Sequence, residues 1–392
     1  MSFSESTLPL LSNTICLLQR YIAHLGCRAQ IHFELEGCNR LKNSQHKLNF
    51  DTINQHLQQM NIDGEIISEY WQNQWEYVSL FNGQSPLKEA QNLHQILNHL
   101  PQWFKAFYSQ HGLVDTLIQP VVWSGDKGKL VLGSTQIFSD DSRAVHIPNA
   151  IQLNVSILDD NGYNLIANKG VGEYLQYCFL RTSLECCLLY LPDNAAFERL
   201  TLKTRYGLAQ ELCSPIDISG GHQGSIALYQ KLGKHNQQMG AEPLLYDHHN
   251  QVLSVQQNWQ KTARIEHRLG AASLDYNPYL NVIYALLNVI DTLESYKKNQ
   301  HLSPPELAAR ALPRSLMSDA IEPNSPGAVE LFKAGSWFSQ RLNLLASKAI
   351  DLKFNKSLDC PLRLGDKIKQ IVLDNYQTKI HLHSVSNTAY KK

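Results

Sequence analysis

Apolar and polar residues alternate strictly along AQIHFELEG (residues 29–37). Ile31, Phe33 and Leu35 fall on one face and His32, Glu34 and Glu36 on the other. A period of two is the mark of a β-strand with one buried side. NAIQLNVSILDDNGYNL (149–165) repeats it, with Ile151, Leu153, Val155 and Ile157 apolar and Gln152, Asn154 and Ser156 polar, followed by a DDNG turn. TARIEHRL (262–269) sets Ala263, Ile265 and His267 against Arg264, Glu266 and Arg268. EIISEYWQNQWEYVSLF predicts a long strand or strand pair, and LIQPVVW and GSIALYQKL predict short ones.

Helical spacing appears in TICLLQRYIAHLGC, ending at Gly26, and in DTINQHLQQM, where Asp51 is the predicted cap. SPLKEAQNLHQILNHLPQWFKAFYSQHG predicts a helix capped by Ser85, and NPYLNVIYALLNVIDTLESYKK one opened by Asn277-Pro278. EYLQYCFLRTSLECCLLYL reads as a buried helix, LPDNAAFERLTLKTRYG as irregular, and the tail from about residue 350 as mixed. Strands with one polar face, separated by helices, predict the α+β class: a curved antiparallel sheet lining a polar cleft, backed by helices.

Composition narrows the function classes. The chain has 392 residues, and length alone suggests two or three domains. It is 43% hydrophobic and 18% charged, and its 35 Lys and Arg balance 35 Asp and Glu. No global field favours nucleic acid or an anionic membrane. No apolar run reaches the span of a bilayer. The N-terminus has no basic region and no small-residue cleavage site, so a cytoplasmic protein is expected. The eight cysteines form no C-x-x-C, which argues for reduced, mostly buried thiols. His248, His249, His381 and His383 read as surface histidines, Lys297 and Lys298 as solvated charge, and the tryptophans of EYWQNQWEY as core.

The polar faces carry the candidate chemistry. Glu34 and Glu36 lie roughly 7 Å apart on one side of their strand. Glu76 follows Gln74 at the same spacing, Glu69 lies upstream, and Glu266 sits on a third strand. Carboxylates gathered this closely repel unless cations sit between them or one is protonated, and hard divalent ions suit oxygen ligands. Any one of them alone reads equally as a solvated face. Arg199, Arg264 and Arg268 are planar two-pronged donors for carboxylate or phosphate, or members of a solvated salt-bridge stripe. Together, carboxylates, metals and arginines match the needs of phosphoryl transfer to a carboxylate.

These segments resemble the glutamine synthetase family. ARIEHRLGAASLDYNPYL is similar to its R-I-E-x-R…N-P-Y-L segment, and HFELEG to its E-x-E strand. SEYWQNQWEYVSLFNGQSPLKEAQNL resembles its E…G-Q-x-E segment and following helix, and HGLVDTLIQPVVW its H-G-x-x-A-T-F-M-P-K-P. NAIQLNVSILDDNGYNL resembles G-S-G-M-H-x-H-x-S-L-x-D-x-x-G-x-N-L, LPDNAAFERL resembles A-P-x-x-N-S-Y-K-R-L, and LPRSLMSDAI the late L-P-x-S-L-x-E-A-L. The order is collinear over about residues 10–340, apart from an extra stretch at about 232–261. The resemblance implies a catalytic domain over 1–345 with an extension at 346–392. It implies a ligase that uses ATP and two Mg²⁺ or Mn²⁺ ions to join glutamate and ammonia through a γ-glutamyl phosphate. Glu34, Glu36, Glu69, Glu76 and Glu266 would be metal ligands, with Gln152 at a further ligand position. The spacing of Glu69 to Glu76 is one residue short of the family pattern. Arg199 and Arg268 would hold the substrate carboxylate, and Arg264 the nucleotide phosphate. Ser156 and Asn154 would lie near the nucleotide.

The departures are specific. The family's H-x-H becomes Gln152 and Asn154, and its glycine loop becomes HIPNA, which loses a close backbone approach. Its flap glutamate falls on Arg205, and two phosphate-handling arginines fall on His222 and Ala227, with Lys203, Arg205 and His222 as candidates to substitute from nearby. No small N-terminal β-grasp domain precedes HFELEG, so any oligomer is expected to avoid the family's usual ring interface. Two readings follow. One is a diverged ligase for a small amino acid and an amine other than ammonia. The other is a catalytically silent relative serving as a binding or structural partner.

Overall fold

The computed structural model describes residues 5–42, 47–71, 73–80, 83–124, 145–168, 170–202, 225–230, 245–246, 252–253, 262–299, 302–308, 310–317, 325–354 and 362–389. Lys203, Arg205, His222, His248, His249 and nearly all of the 232–261 stretch lie outside them, as do the side chains of His381 and His383.

The alternating segments form one antiparallel sheet. Its strands are β1 (Cys27–Leu41), β2 (Gly64–Ser68), β3 (Gln74–Ser79), β4 (Leu113–Leu117), β7 (Ile151–Asp159), β8 (Ile226–Tyr229) and β11 (Arg264–His267). The order is β2-β3-β1-β7-β11-β8, with β4 also paired to β1. Strands β5 (Val121–Trp123) and β6 (His146–Pro148) form a separate hairpin-like pair, as do β9 (Leu245–Tyr246) and β10 (Val252–Leu253). Long β1 is the hub. It pairs with β7 through Cys27–Leu35, with β3 through Glu34–Cys38 and with β4 through Cys38–Leu41.

The apolar face of this sheet is closed by helices. Those of the first half of the chain are α1 (Leu8–His24), α2 (Asp51–Gln59) and α3 (Pro86–Tyr108). Next come α4 (Val171–Ser183), α5 (Asn194–Leu202) and α6 (Pro278–Lys298). The last three are α7 (Ala328–Ala334), α8 (Trp337–Asp351) and α9 (Leu364–Ala389). Ile31, Phe33, Leu35, Leu153, Val155 and Ile265 meet α1, α3 and α6 in one continuous core. Helix α6 is buried over nearly its whole length, from Pro278 to Leu293.

Several expectations need correction. The segment after Pro192 is not irregular. Asp193 accepts a hydrogen bond from the Ala196 N–H at 2.8 Å, and α5 follows. Helix α2 begins at Asp51, so Asp51 lies in its first turn rather than capping it, and Asn49 accepts from the Asp51 N–H at 2.7 Å. Among the described residues of the tail, a long helix dominates: α9 buries Leu364, Ile368, Val372 and Tyr376 in the main core. LIQPVVW is divided between β4 and β5 around Pro120. Ser85 caps α3 as expected, accepting from the Lys88 N–H at 3.2 Å.

Candidate functional site

Side chains of directly opposed residues in an antiparallel pair share a face. The register therefore assembles the polar face residue by residue. Glu36 of β1 lies opposite Glu76 of β3, Glu34 opposite Gln152 of β7, and His32 opposite Asn154. Asn154 lies in turn opposite Glu266 of β11, and Glu266 opposite Ala227 of β8. Glu34, Glu36, Glu76, Gln152, Asn154 and Glu266 thus form one diagonal row, on one face, across four strands. The methyl group of Ala227 closes the row next to Glu266.

Hydrogen bonds tie the row together. Glu36 accepts from the Ala150 N–H at 2.7 Å and from the Gln152 amide at 3.5 Å. Glu34 accepts from the Asn154 amide at 3.0 Å. The Asn154 carbonyl oxygen accepts from Arg264 Nε at 2.7 Å. Arg264 also reaches Glu266 Oε2 at 3.2 Å, and Arg268 Nε lies 3.3 Å from Glu266 Oε1. The Arg264 guanidinium sits 4.4 Å above the Tyr229 ring, its direct cross-strand neighbour. Burial, then repulsion from Glu266, pushes the Glu34 carboxyl up to about 7, against the pull of Arg264 and Asn154.

Arg199 approaches from α5. It is 3% exposed, donates to the Leu269 and Arg268 carbonyls at 3.4 Å, and leaves its buried Nε without a hydrogen-bond partner. Burial brings it down to about 10, Glu36 opposing that shift and Arg268 adding to it. A buried guanidinium held this loosely is suited to an anionic ligand.

Ser156 is 2% exposed and its hydroxyl donates to the Ala263 carbonyl at 2.9 Å, which joins β7 to the start of β11. Glu69 lies just past the end of β2, where its N–H donates to the Gln74 carbonyl at 3.1 Å. That places it in the turn rather than in the paired row.

Sequence reasoning missed the supports. Asn149, fully buried, accepts from Gln74 Nε2 at 3.0 Å and donates to the Gln119 carbonyl at 3.0 Å. It orients the segment whose next residue, Ala150, binds Glu36. The signal was HIPNA itself, where an asparagine stands in place of a glycine. Beside the row, on the same face, His32 Nδ1 lies 3.5 Å from Ser79 Oγ and 3.8 Å from Glu89 Oε1. Burial holds His32 down at about 4 and pushes Glu89 up to about 8, so the two meet as neutral partners.

The row divides in its fitness for a metal. Among the described residues, no group of three or more His, Cys, Asp or Glu side chains converges as a metal cage. Mg²⁺, however, keeps several waters and needs only one or two carboxylates plus substrate phosphates. Glu36 and Glu76, directly opposed and half-buried, supply that donor set. The Glu34, Gln152 and Glu266 end does not fit. Its carboxylates already face an amide donor and two guanidiniums.

Solved structures share this architecture. A novel glutamine synthase homolog covers 92% of this chain and 75% of its own, at 16% identity and a TM-score of 0.53. GmaS without ligand covers 89% and 77%, at 13% identity and a TM-score of 0.51. A GmaS/ADP complex covers 94% and 75%, at 13% identity and a TM-score of 0.53. No protein-family model and no curated protein matches the sequence. The likeness is therefore one of fold: this chain has the α+β fold of glutamine synthetase homologs, an open antiparallel sheet backed by helices. The described cysteines are free, and among the described residues no helix is long and apolar enough to cross a membrane.

Proposed function

We propose that the protein is an ATP-dependent ligase that joins a carboxylate, of glutamate type, to an amine other than ammonia. The observation that carries this reading is the convergence of Arg199, Arg264 and Arg268 on the acid row that holds Glu36 and Glu76. ADP bound to GmaS, a protein of the same fold, supports a nucleotide as co-substrate.

In this reading the substrate carboxylate attacks the γ-phosphorus of ATP, giving an acyl phosphate and ADP. The amine nitrogen then attacks the acyl carbon, phosphate leaves with the bonding pair, and the nitrogen loses a proton. Arg199 and Arg268 hold the substrate anion. Arg264 faces the phosphoryl group, where fixed positive charge is worth most as negative charge builds. Glu36 and Glu76, with Glu69 nearby, would hold a Mg²⁺ or Mn²⁺ ion, which when bound supplies further neutralisation of phosphate charge.

A second reading, a catalytically silent relative that binds nucleotide or a partner, is favoured by Gln152, Asn154 and Ala227, which carry no charge at positions where the family carries histidines and an arginine. One experiment separates the two. Melting temperature is followed with Mn²⁺ and ATP, and ADP release is followed with glutamate and a panel of primary amines. The ligase reading expects a stabilisation of about 2.7 kcal/mol at a hundredfold the dissociation constant, and amine-dependent ADP release. Stabilisation without ADP release across the panel supports the silent reading, and no stabilisation removes the nucleotide from both.

A further inference from the structure

The two ends of the acid row are neutralised by different means. Arg264 can only donate hydrogen bonds. Its 2.7 Å contact therefore fixes the Asn154 amide with the oxygen toward the guanidinium and the nitrogen toward Glu34. A carboxylate that faces an amide N–H meets a competitor for its lone pairs, not a fellow ligand, because metals bind the amide through oxygen. Gln152, opposite Glu34 in register, points its nitrogen at Glu36 from 3.5 Å, the outer limit of a hydrogen bond, whereas Asn154 holds Glu34 at 3.0 Å, so the competition is strong at Glu34 and weak at Glu36. Glu266 is bracketed by Arg264 and Arg268, and is 5% exposed. The Arg264 guanidinium is clamped on three sides, by the Asn154 amide, the Glu266 carboxylate and the Tyr229 ring. A dication between Glu34 and Glu266 would have to displace that clamp and sit against two fixed positive charges.

We propose that the half of the site formed by Glu34, Gln152, Asn154 and Glu266 excludes divalent cations, and that the Arg264 guanidinium stands there as the fixed positive charge. The site then works with a single cation, at Glu36 and Glu76. That cation rests on the function proposed above; the exclusion at Glu34 and Glu266 stands on the hydrogen-bond geometry and is tested separately.

The test counts Mn²⁺ bound per full-length chain, by the loss of the free-ion paramagnetic resonance signal. The wild type is expected to bind one equivalent. Glu36→Gln should weaken that binding by at least about tenfold, as loss of metal-site partners does. Glu34→Gln should leave both stoichiometry and affinity in place. Arg264→Gln is expected to gain one equivalent over the wild type, and Arg264→Lys, which keeps the charge, to gain none. Two equivalents in the wild type, loss of an equivalent in Glu34→Gln, or no gain in a folded Arg264→Gln would each overturn the exclusion. If the wild type binds none while Arg264→Gln binds one, the exclusion stands and the cation of the proposed function falls. Glu34→Gln keeps the test decisive if Arg264→Gln does not fold.

Discussion

Asn154 accepts a hydrogen bond from Arg264 at 2.7 Å while its own amide donates to Glu34 at 3.0 Å. One neutral side chain, 1% exposed, thus links a half-buried acid to a half-buried base without adding charge. Asn154→Leu keeps the size but leaves two half-buried partners short of a hydrogen bond. It should destabilise the fold by about 1–3 kcal/mol or more, read as a lower urea midpoint at constant slope. A change within the scatter of surface substitutions would show that neither partner depends on Asn154.

Arg199 is a charge that the unliganded fold does not need. Its Nε has no partner and its two carbonyl contacts are long. Replacing a buried, poorly compensated charge with an apolar residue of similar length is often stabilising, by about 1–4 kcal/mol. Arg199→Met should therefore raise the melting temperature of the free protein and abolish glutamate-dependent ADP release. A variant that is less stable than the wild type would assign Arg199 a structural duty instead.

Gly37 faces Trp75 directly across the β1–β3 pair, and a Cβ there would lie well inside van der Waals contact of Trp75 Cζ2. Trp75 is fully buried and stacked on Phe104 at 5.6 Å, so it has no room to retreat. Gly37→Ala should cost about 1–3 kcal/mol through overpacking. Because Gly37 follows Glu36, the same variant should also weaken Mn²⁺ binding. Thermal melting and Mn²⁺ titration together check both effects, and a native-like result in each would mean that the strands part without loss.

Glu294 of α6 joins three helices. It accepts from Tyr21 of α1 at 2.6 Å, and from Arg341 and Lys348 of α8 at 2.5 and 2.9 Å. Burial alone would push its carboxyl up, but these hydrogen bonds outweigh burial and hold it at about 2, against the usual 4.5. Its folded value is the lower one, so its contribution is present above about pH 4.5 and drains away as pH falls toward 2. Glu294→Gln should lower stability at neutral pH and flatten the pH dependence across that interval, measured by chemical denaturation. Parallel wild-type and mutant curves would exclude Glu294 as a source of acid sensitivity.

The strands of the site were legible in the sequence because each buries one face only. Period-two alternation in β1, β7 and β11 placed Glu34, Glu36, Gln152, Asn154 and Glu266 on polar faces without further information. The same pattern could not say which faces adjoin, since register is a tertiary property set by β1 pairing with three other strands. Helix α5 escaped notice because its opening signal is a single aspartate after a proline. In α9 the apolar residues Leu364, Ile368, Val372 and Tyr376 recur every four positions, but a glycine at 365 reads as a break. That glycine instead lets α9 approach the backbone of Ser339. The role of Arg264 was the least legible feature. A guanidinium near carboxylates reads alike as a grip on substrate, a surface pair or a built-in counter-ion, and the sequence alone holds no orientation of Asn154 against which to weigh them.

Strand β1 carries acids and core side chains on alternate positions while bordered by three partners at once. Its register shifts only at Arg40–Leu41, beyond the acids. One residue inserted or deleted within Ile31–Glu36 and not absorbed by a bulge would exchange the two sets on one side of the change, sending core side chains outward and acids into the apolar interior. The length of that stretch is therefore constrained even where its chemistry is free to drift. New activities on this scaffold are expected to arise by point replacement along the strand, with gains and losses of chain confined to the connections.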